Sequence, residues 1–211
     1  MPQPSRTDRP AIVTAAIELL DELGLDKVSL YAIAARLGVK QPALYHHFEN
    51  KAALLAAVAD EVLARHHRDR LPRAGETWDA FVRRNARSLR VAMLSVRDGA
   101  RLISSSGSRV PQVDNAIAQV GLLERSGFGG PNAVLALIAV SRYTIGAALE
   151  EQGSRESPPL SAAIPAGDER TAHLADILRQ VAAAGPDKEF ELGLDALVRG
   201  LDSHRVTPDL L

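Results

Sequence analysis

The chain has 211 residues, 46% of them apolar and 24% charged, with 25 Lys+Arg against 26 Asp+Glu and a formal net charge of −1. That balance excludes an intrinsically disordered chain and fits a globular protein with a buried core. The absence of cysteine excludes disulfides, a thiolate nucleophile and any sulfur-ligated metal site. Arg142 interrupts the apolar run from Val134 to Leu149, so no membrane span is expected. The N-terminal MPQPSRTDRP lacks an apolar core of a signal peptide, and a cytoplasmic protein is expected.

Apolar residues repeat at helical spacing almost throughout. Ile12, Ala16, Leu19, Leu20 and Leu23 mark a first helix, entered through Thr7 or Asp8 and Pro10 and stopped near Gly24. A short second helix runs from Ser29, a candidate N-cap, to Leu37, and Gly38 breaks it. A third is expected over Gln41–His47, and Asn50 is placed to cap a fourth with Leu54, Leu55, Val58, Val62 and Leu63 as its buried stripe.

After Pro72, Arg73, Ala74 and Gly75 the composition changes, and Thr77 opens a helix to about Leu94. A short helical piece follows around Asp98 to Ile103, and Pro111 opens another that ends at Gly127. Pro131 stands at the first turn of a long helix to about Gln152. Residues 153 to 169 read as a loop rich in Gly, Ser and Pro. Two final helices, Thr171–Ala184 and Pro186–Asp202, are divided by Gly185. No segment alternates with period two, so the fold class is all-α.

The segment SLYAIAARLGVKQPALYHHFENKAALL has helix-turn-helix spacing. Ile33, Leu37, Val39 and Leu44 would pack the pair of helices, and Gly38 permits the tight turn. Lys40, Gln41, Ala43, Tyr45 and His47 are left on positions that the core does not need. Gln is suited to a base edge, a small Ala to close approach, and Tyr, Lys and His to phosphates, with Lys51 a further phosphate candidate. A helical hairpin with a polar surface fits the same spacing. Charge does not separate the two, because residues 1 to 51 hold six basic side chains and six acidic ones.

These residues resemble the Tet-repressor family of transcriptional regulators. The carrying pattern is LGV-x-x-P-x-LY-x-H-F-x-N-K-x-x-L, preceded by ELGLDKVSL. The likeness extends to the tetracycline-repressor branch through RHH at 65–67, GETW at 75–78, RRNARSLR at 83–90, the RDGA segment ending at 100, SGF at 126–128, TIG at 144–146 and LEEQ at 149–152. The resemblance implies a three-helix DNA-binding domain over residues 1–51 and an effector-binding and dimerisation domain over 52–211, with the helix from about 50 to 67 connecting them. It also implies a homodimer on a palindromic double-stranded operator, released by a small-molecule effector.

Carried over by motif, the DNA-facing set is Ser29, Tyr31, Gln41, Pro42, Ala43, Tyr45, His47 and Lys51, to which the spacing adds Lys40. Tyr31 stands where the branch has a base-contacting arginine; a tyrosine has no bidentate contact to offer guanine. Leu44 is assigned to the core.

The effector set by resemblance is His67, Asn85, Gln119 and Glu150, with Leu89 replacing a pocket phenylalanine and Arg142 a pocket histidine. Taken alone, His67 with His66 reads as a surface pair, Asn85 as a helix-face polar residue and Glu150 as half of an exposed acidic pair with Glu151. Ile103 replaces the branch's magnesium-binding histidine, and Gly107 and Ser108 replace an Arg–Pro pair. No metal site and no cofactor are therefore expected, and a tetracycline–magnesium chelate is disfavoured. The expected effector is apolar or polycyclic, with an acidic or hydrogen-bonding edge. A buried Arg142 would need Glu150, two turns away, or a ligand anion as its partner.

The resemblance further implies a four-helix bundle between two chains. The helices at about 131–152 and 187–202 would supply it through Leu135, Ile138, Tyr143, Ile145, Ala148, Leu192, Leu194, Leu197 and Leu201. Two other function classes remain to be weighed. A helical enzyme would use His66, His67 and Asp69, but adjacent helical residues point about 100° apart and do not converge on one metal. A non-DNA-binding helical adaptor would need no polar set at residues 40 to 51.

Overall fold

The computed structural model describes residues 8–106, 112–155, 157, 160–165 and 167–205. Among them the chain forms helices α1 (Arg9–Leu23), α2 (Leu30–Leu37), α3 (Lys51–His66), α4 (Trp78–Leu94), α5 (Gly99–Ser105), α6 (Val113–Arg125), α7 (Gly130–Ser154) and α8 (Glu169–Asp202). Short 3-10 helices cover Leu25–Lys27, Gln41–His46 and Leu160–Ala163. No described residue lies in a strand. The all-α expectation is met.

The helix starts follow their caps. Asp8 Oδ1 accepts from the Ala11 N–H at 2.8 Å, Ser29 Oγ from Ala32 at 3.1 Å, Asn50 Oδ1 from Ala53 at 2.8 Å and Asp168 Oδ1 from Thr171 at 3.1 Å. Each satisfies an N–H that the helix itself leaves unpaired. Gly38 closes α2 at φ 69°, a left-handed conformation that costs glycine nothing.

The chain divides into two compact units, one containing the residues up to Gly75 together with Arg84–Gln119, the other Glu76–Arg83 and the residues from Val120 on. In the first, α1 packs on α2 and α3, and α3 on α5. Ile12, Leu20, Ile33, Leu44, Phe48, Leu54, Met93 and Leu102 are among its fully buried side chains. In the second, α7 packs on α8, with Phe81, Leu123, Phe128, Ala133, Phe190 and Leu194 buried. Trp78 meets Phe128 edge to face at 4.8 Å between centroids, and Tyr143 stacks on Phe190 at 5.6 Å.

Several expectations change in detail. The segment expected as a third α-helix over Gln41–His47 is a 3-10 turn ending at His46, closed by bonds such as Ala43 N–H to the Lys40 carbonyl at 2.9 Å. Pro42 has no N–H to give, and a run this short gains little from α-type bonding. The 34 residues of α8 contain a break at Gly185, whose φ of 79° and ψ of 165° are not helical, so the two final helices expected from the sequence are both present. Helix α6 begins at Val113, while Pro111, Gly107 and Ser108 lie outside the described residues.

Arg142 does not interrupt α7 as a candidate membrane span: by length and composition Gly130–Ser154 is long and apolar enough. A single such helix is also what a packed helix of a globular unit looks like, and α7 buries Ala133, Ala136, Val140, Ile145 and Ala148. Ile145, Ala148 and Leu194, expected to face a second chain, are thus buried within this one. Val134, Leu135, Ile138, Leu174, Ile177, Val181 and Leu192 are exposed instead.

Candidate functional site

The N-terminal head builds a reading surface by burying one side of each short element. Ile33 and Leu44 are completely enclosed, which fixes the turn at Gly38 and the orientation of the 3-10 segment after it. Leu44 thus belongs to the core. Tyr31, 73% exposed, and Tyr45, 50% exposed, are left outside with Lys40, Pro42 and Lys51. Gln41, Ala43 and His47 are half-buried on the same segment. The Gln41 amide donates to the Tyr45 hydroxyl at 3.4 Å, a one-turn contact that holds both side chains together. Ser29 accepts the α2 cap bond from Ala32, and its O–H can still donate.

Two neighbours brace this head. The Arg9 guanidinium donates to the His47 carbonyl at 3.3 Å and lies over the Phe48 ring, 4.5 Å from its centroid. Arg36 is bound to Glu22 and Glu18 of α1, which removes its charge from the reading face and holds the Glu22 carboxyl below its ordinary pKa. Asp26 is lowered too, first by its hydrogen bond to Arg101 and less by the charges of Arg101 and Lys51. Lys40 and Lys51 stay exposed, so the cations of the reading segment are outward even though the head's count is balanced.

Beyond α3, three of the residues expected to hold an effector are gathered around the segment that follows His67. The His67 ring Nδ1 lies 3.0 Å from Ser88 Oγ, which also accepts from the Asp69 N–H at 3.3 Å. The Asn85 amide donates to the Asp69 carbonyl at 3.0 Å and the Gln119 amide to the Arg70 carbonyl at 2.7 Å. His67, Asn85 and Gln119 are therefore brought together, each tied to one short stretch of backbone. Burial lowers the His67 pKa to about 4, with Arg70 adding to the shift and Asp69 opposing it, so the ring is neutral at neutral pH.

Ile103 is buried at 3% exposure and Leu89 is half-buried, both apolar with no donor atom. Arg142 and Glu150 lie on α7 in the second unit. Both are exposed, and no ion pair joins them. The expectation of a buried Arg142 is thereby corrected: two turns of helix bring the residues to the same side, but water solvates both and neither is forced to pair. The enzyme reading of His66, His67 and Asp69 also loses its geometry, because His66 is exposed and Asp69 Oδ1 is bound by Arg84 at 2.6 Å and Arg73 at 2.8 Å.

Ser88, Arg70 and Arg84 were not singled out by sequence reasoning. Ser88 reads as an ordinary helix residue, and only the fold brings its hydroxyl to His67 across 21 positions. The two arginines look like solvated charge.

A head that encloses Leu44 in order to present Gln41 and Tyr45 has the construction of a helix-turn-helix DNA reader. The family description "Bacterial regulatory proteins, tetR family" matches residues 12–58, and "Tetracyclin repressor-like, C-terminal domain" matches residues 71–205. The chain belongs to the tetR family of bacterial regulatory proteins. It is a DNA-binding transcriptional repressor and not an enzyme. It is 43% identical over 209 residues to the tetracycline repressor protein class A from transposon 1721 of Escherichia coli, covering 92% of this chain and 90% of that protein. Among solved structures, it resembles TetR from Acinetobacter baumannii AYE with 39% identity and a TM-score of 0.82, covering 95% of this chain and 100% of that one. It also resembles TetR class A in complex with 5a,6-anhydrotetracycline and magnesium, with 38% identity, a TM-score of 0.72 and coverage of 97% and 100%.

Proposed function

We propose that this repressor works in the cytoplasm as a homodimer on a palindromic operator, and that a small organic effector releases it. Residues 1–51 form the reading domain in this scheme, and residues 52–211 bind the effector and the second chain. Gln41 reads a base edge with Ala43, Pro42 and Tyr31 shaping the approach. Ser29, Lys40, Tyr45, His47 and Lys51 contact phosphates. The observation that carries this reading is the pairing of a fully enclosed Leu44 with an exposed Tyr31 and Tyr45 on the same head. A surface that served only to be solvated would not need its two aromatic rings held in water.

Two copies are required because one short reading segment covers one half-site. The exposed apolar side chains Val134, Leu135 and Ile138 on α7 and Leu192 on α8 support an isologous interface there.

The effector is held by His67, Asn85 and Gln119 as the polar trio, with Leu89 and Ile103 as apolar wall. A neutral imidazole and two amides supply hydrogen bonds to an acidic or hydrogen-bonding edge of an otherwise apolar or polycyclic molecule. A magnesium chelate is disfavoured in this reading, because Ile103 offers no donor atom to the metal. Release follows if the effector binds the conformation unable to span the operator more tightly than the competent one.

The test is a mobility shift on DNA flanking the gene, at a series of salt concentrations, with and without candidate ligands and a chelator. Affinity that falls with salt on a palindromic site is expected. No retention of that DNA at low salt would leave the adaptor reading in its place, and release that needs magnesium would restore the chelate.

A further inference from the structure

The loop that joins α3 to α4 borders an open cavity of about 510 Å³, all of it within the first unit. Four arginines, Arg68, Arg70, Arg73 and Arg84, and one acidic residue, Asp69, are among its lining residues. Asp69 is already engaged by Arg84 and Arg73, and Arg84 also donates to the Leu71 carbonyl at 2.9 Å. Arg68 donates through Nε to the Arg65 carbonyl at 3.1 Å, which leaves its charge unneutralised.

Arg70 is the unusual member. Its Nε donates to the His67 carbonyl at 2.9 Å, but its Nη2 is shut away from solvent with no acceptor at all. An enclosed donor of a charged group left without a partner costs more than an exposed one, because nothing repays the lost hydration. Burial accordingly lowers the basicity of Arg70, only partly opposed by the charge of Asp60 on α3. Arg70 borders this largely cationic lining with an enclosed Nη2 that lacks an acceptor, so turning its guanidinium toward the cavity would give that donor an anionic partner. The amides of Gln112 and Asn115 on the same wall add neutral hydrogen-bonding capacity.

We propose that this cavity is an oxyanion site, in which Arg70 turns its guanidinium onto a carboxylate or phosphate group and Arg68 supplies the second charge. The inference deepens the ligand-responsive reading by naming the chemistry of an acidic ligand, and it requires no group from the second unit. Its position also gives it an effect. Arg70 lies in the short stretch whose backbone is held by Asn85 and Gln119, directly after the last turn of α3, so pairing Arg70 alters the seat of His67.

Thermal unfolding and calorimetry of the full-length protein test it, with inorganic phosphate, benzoate and neutral benzamide as probes at constant ionic strength set by chloride. Saturable stabilisation by phosphate or benzoate, absent with benzamide, is expected. Arg70→Met should weaken that binding by about tenfold or more, since a charge-assisted pair is lost, and Arg68→Gln should weaken it less. Binding of both anions marks a simple oxyanion site, and binding of benzoate alone marks the carboxylate of an organic effector. Should Arg70→Met fail to fold, Arg70→Lys keeps the charge without the bidentate fork, and weaker benzoate binding by this variant carries the same conclusion. No stabilisation by either anion beyond chloride, or unchanged affinity in the Arg70 variants, overturns the proposal. Neither result touches operator binding, which the mobility shift reads separately.

Discussion

The carboxylate of Asp98 accepts a hydrogen bond from the backbone N–H of Leu25 at 2.8 Å, joining positions 73 apart in the chain. Asp98 does this from φ 55°, the one positive φ at a non-glycine residue among those described. Around it Arg101 pairs with Asp26 at 2.9 Å, and the Arg97 N–H donates to Asp21 Oδ1 at 2.8 Å. The end of α1 and the turn after it are thus fastened to the start of α5.

This contact has a measurable cost of removal. Asp98→Ala leaves the Leu25 N–H without its acceptor and puts an ordinary side chain in the left-handed region. A loss of about 2–4 kcal/mol is expected from the two effects together. Asp98→Asn keeps an acceptor and tolerates that backbone, so it should lose less than half as much. Urea unfolding of the three proteins checks the order; equal losses for Asn and Ala would show that the hydrogen bond is not what matters.

His67 makes stability depend on pH. Its folded-state pKa of about 4 lies below the ordinary 6.5, so the unfolded chain takes up the proton first as pH falls. The stability present above pH 6.5 is lost progressively down to about pH 4, by at most about 3 kcal/mol. His67→Gln should flatten the curve across that window while leaving other acid-sensitive carboxylates to act below it. An unchanged slope would mean that the ring is solvated in the folded protein.

Gly99 opens α5 against the backbone of α4. A Cβ there would collide with the Met93 carbonyl oxygen and come within 2.8 Å of Val96 Cγ2. Since a backbone atom cannot step aside as a side chain does, Gly99→Ala should cost about 1–3 kcal/mol despite the better helix propensity of alanine. Thermal unfolding that shows a gain would place free space where the structure shows none.

On DNA, Gln41→Ala should weaken specific binding by about 1–3 kcal/mol and relax the preference at one base pair. Lys51→Ala should weaken all sequences alike and reduce the salt dependence. Binding measured on the operator and on random DNA separates the roles. Equal losses on both for Gln41→Ala would remove it from the base-reading set.

The exposed apolar face of α7 and α8 predicts the subunit contact. Leu135, 60% exposed, and Leu192, 68% exposed, should tolerate change in the isolated chain yet matter for pairing. Leu135→Arg with Leu192→Arg should shift the protein toward monomer in light scattering at micromolar concentration with its helical content kept. A dimer of unchanged strength would put the interface elsewhere.

Local signals in the sequence determined the helices and their ends. Asp8, Ser29 and Asn50 cap within three residues of their partners, and Gly38 and Gly185 stop helices by their own backbone freedom, so both effects are written in short stretches of chain. The enclosed Leu44 and the outward Tyr45 followed from helical periodicity in the same way. What only the tertiary structure decided are relations between distant residues. It joined Ser88 to His67, set Asp98 beneath Leu25, and left Arg70 enclosed without an acceptor. It also divided the apolar positions of α7 and α8 between Ile145, Ala148 and Leu194, used inside the chain, and Leu135, Ile138 and Leu192, left exposed. A helix with apolar residues around most of its circumference does not state which face its own chain will cover, because that depends on where the other helices come to rest.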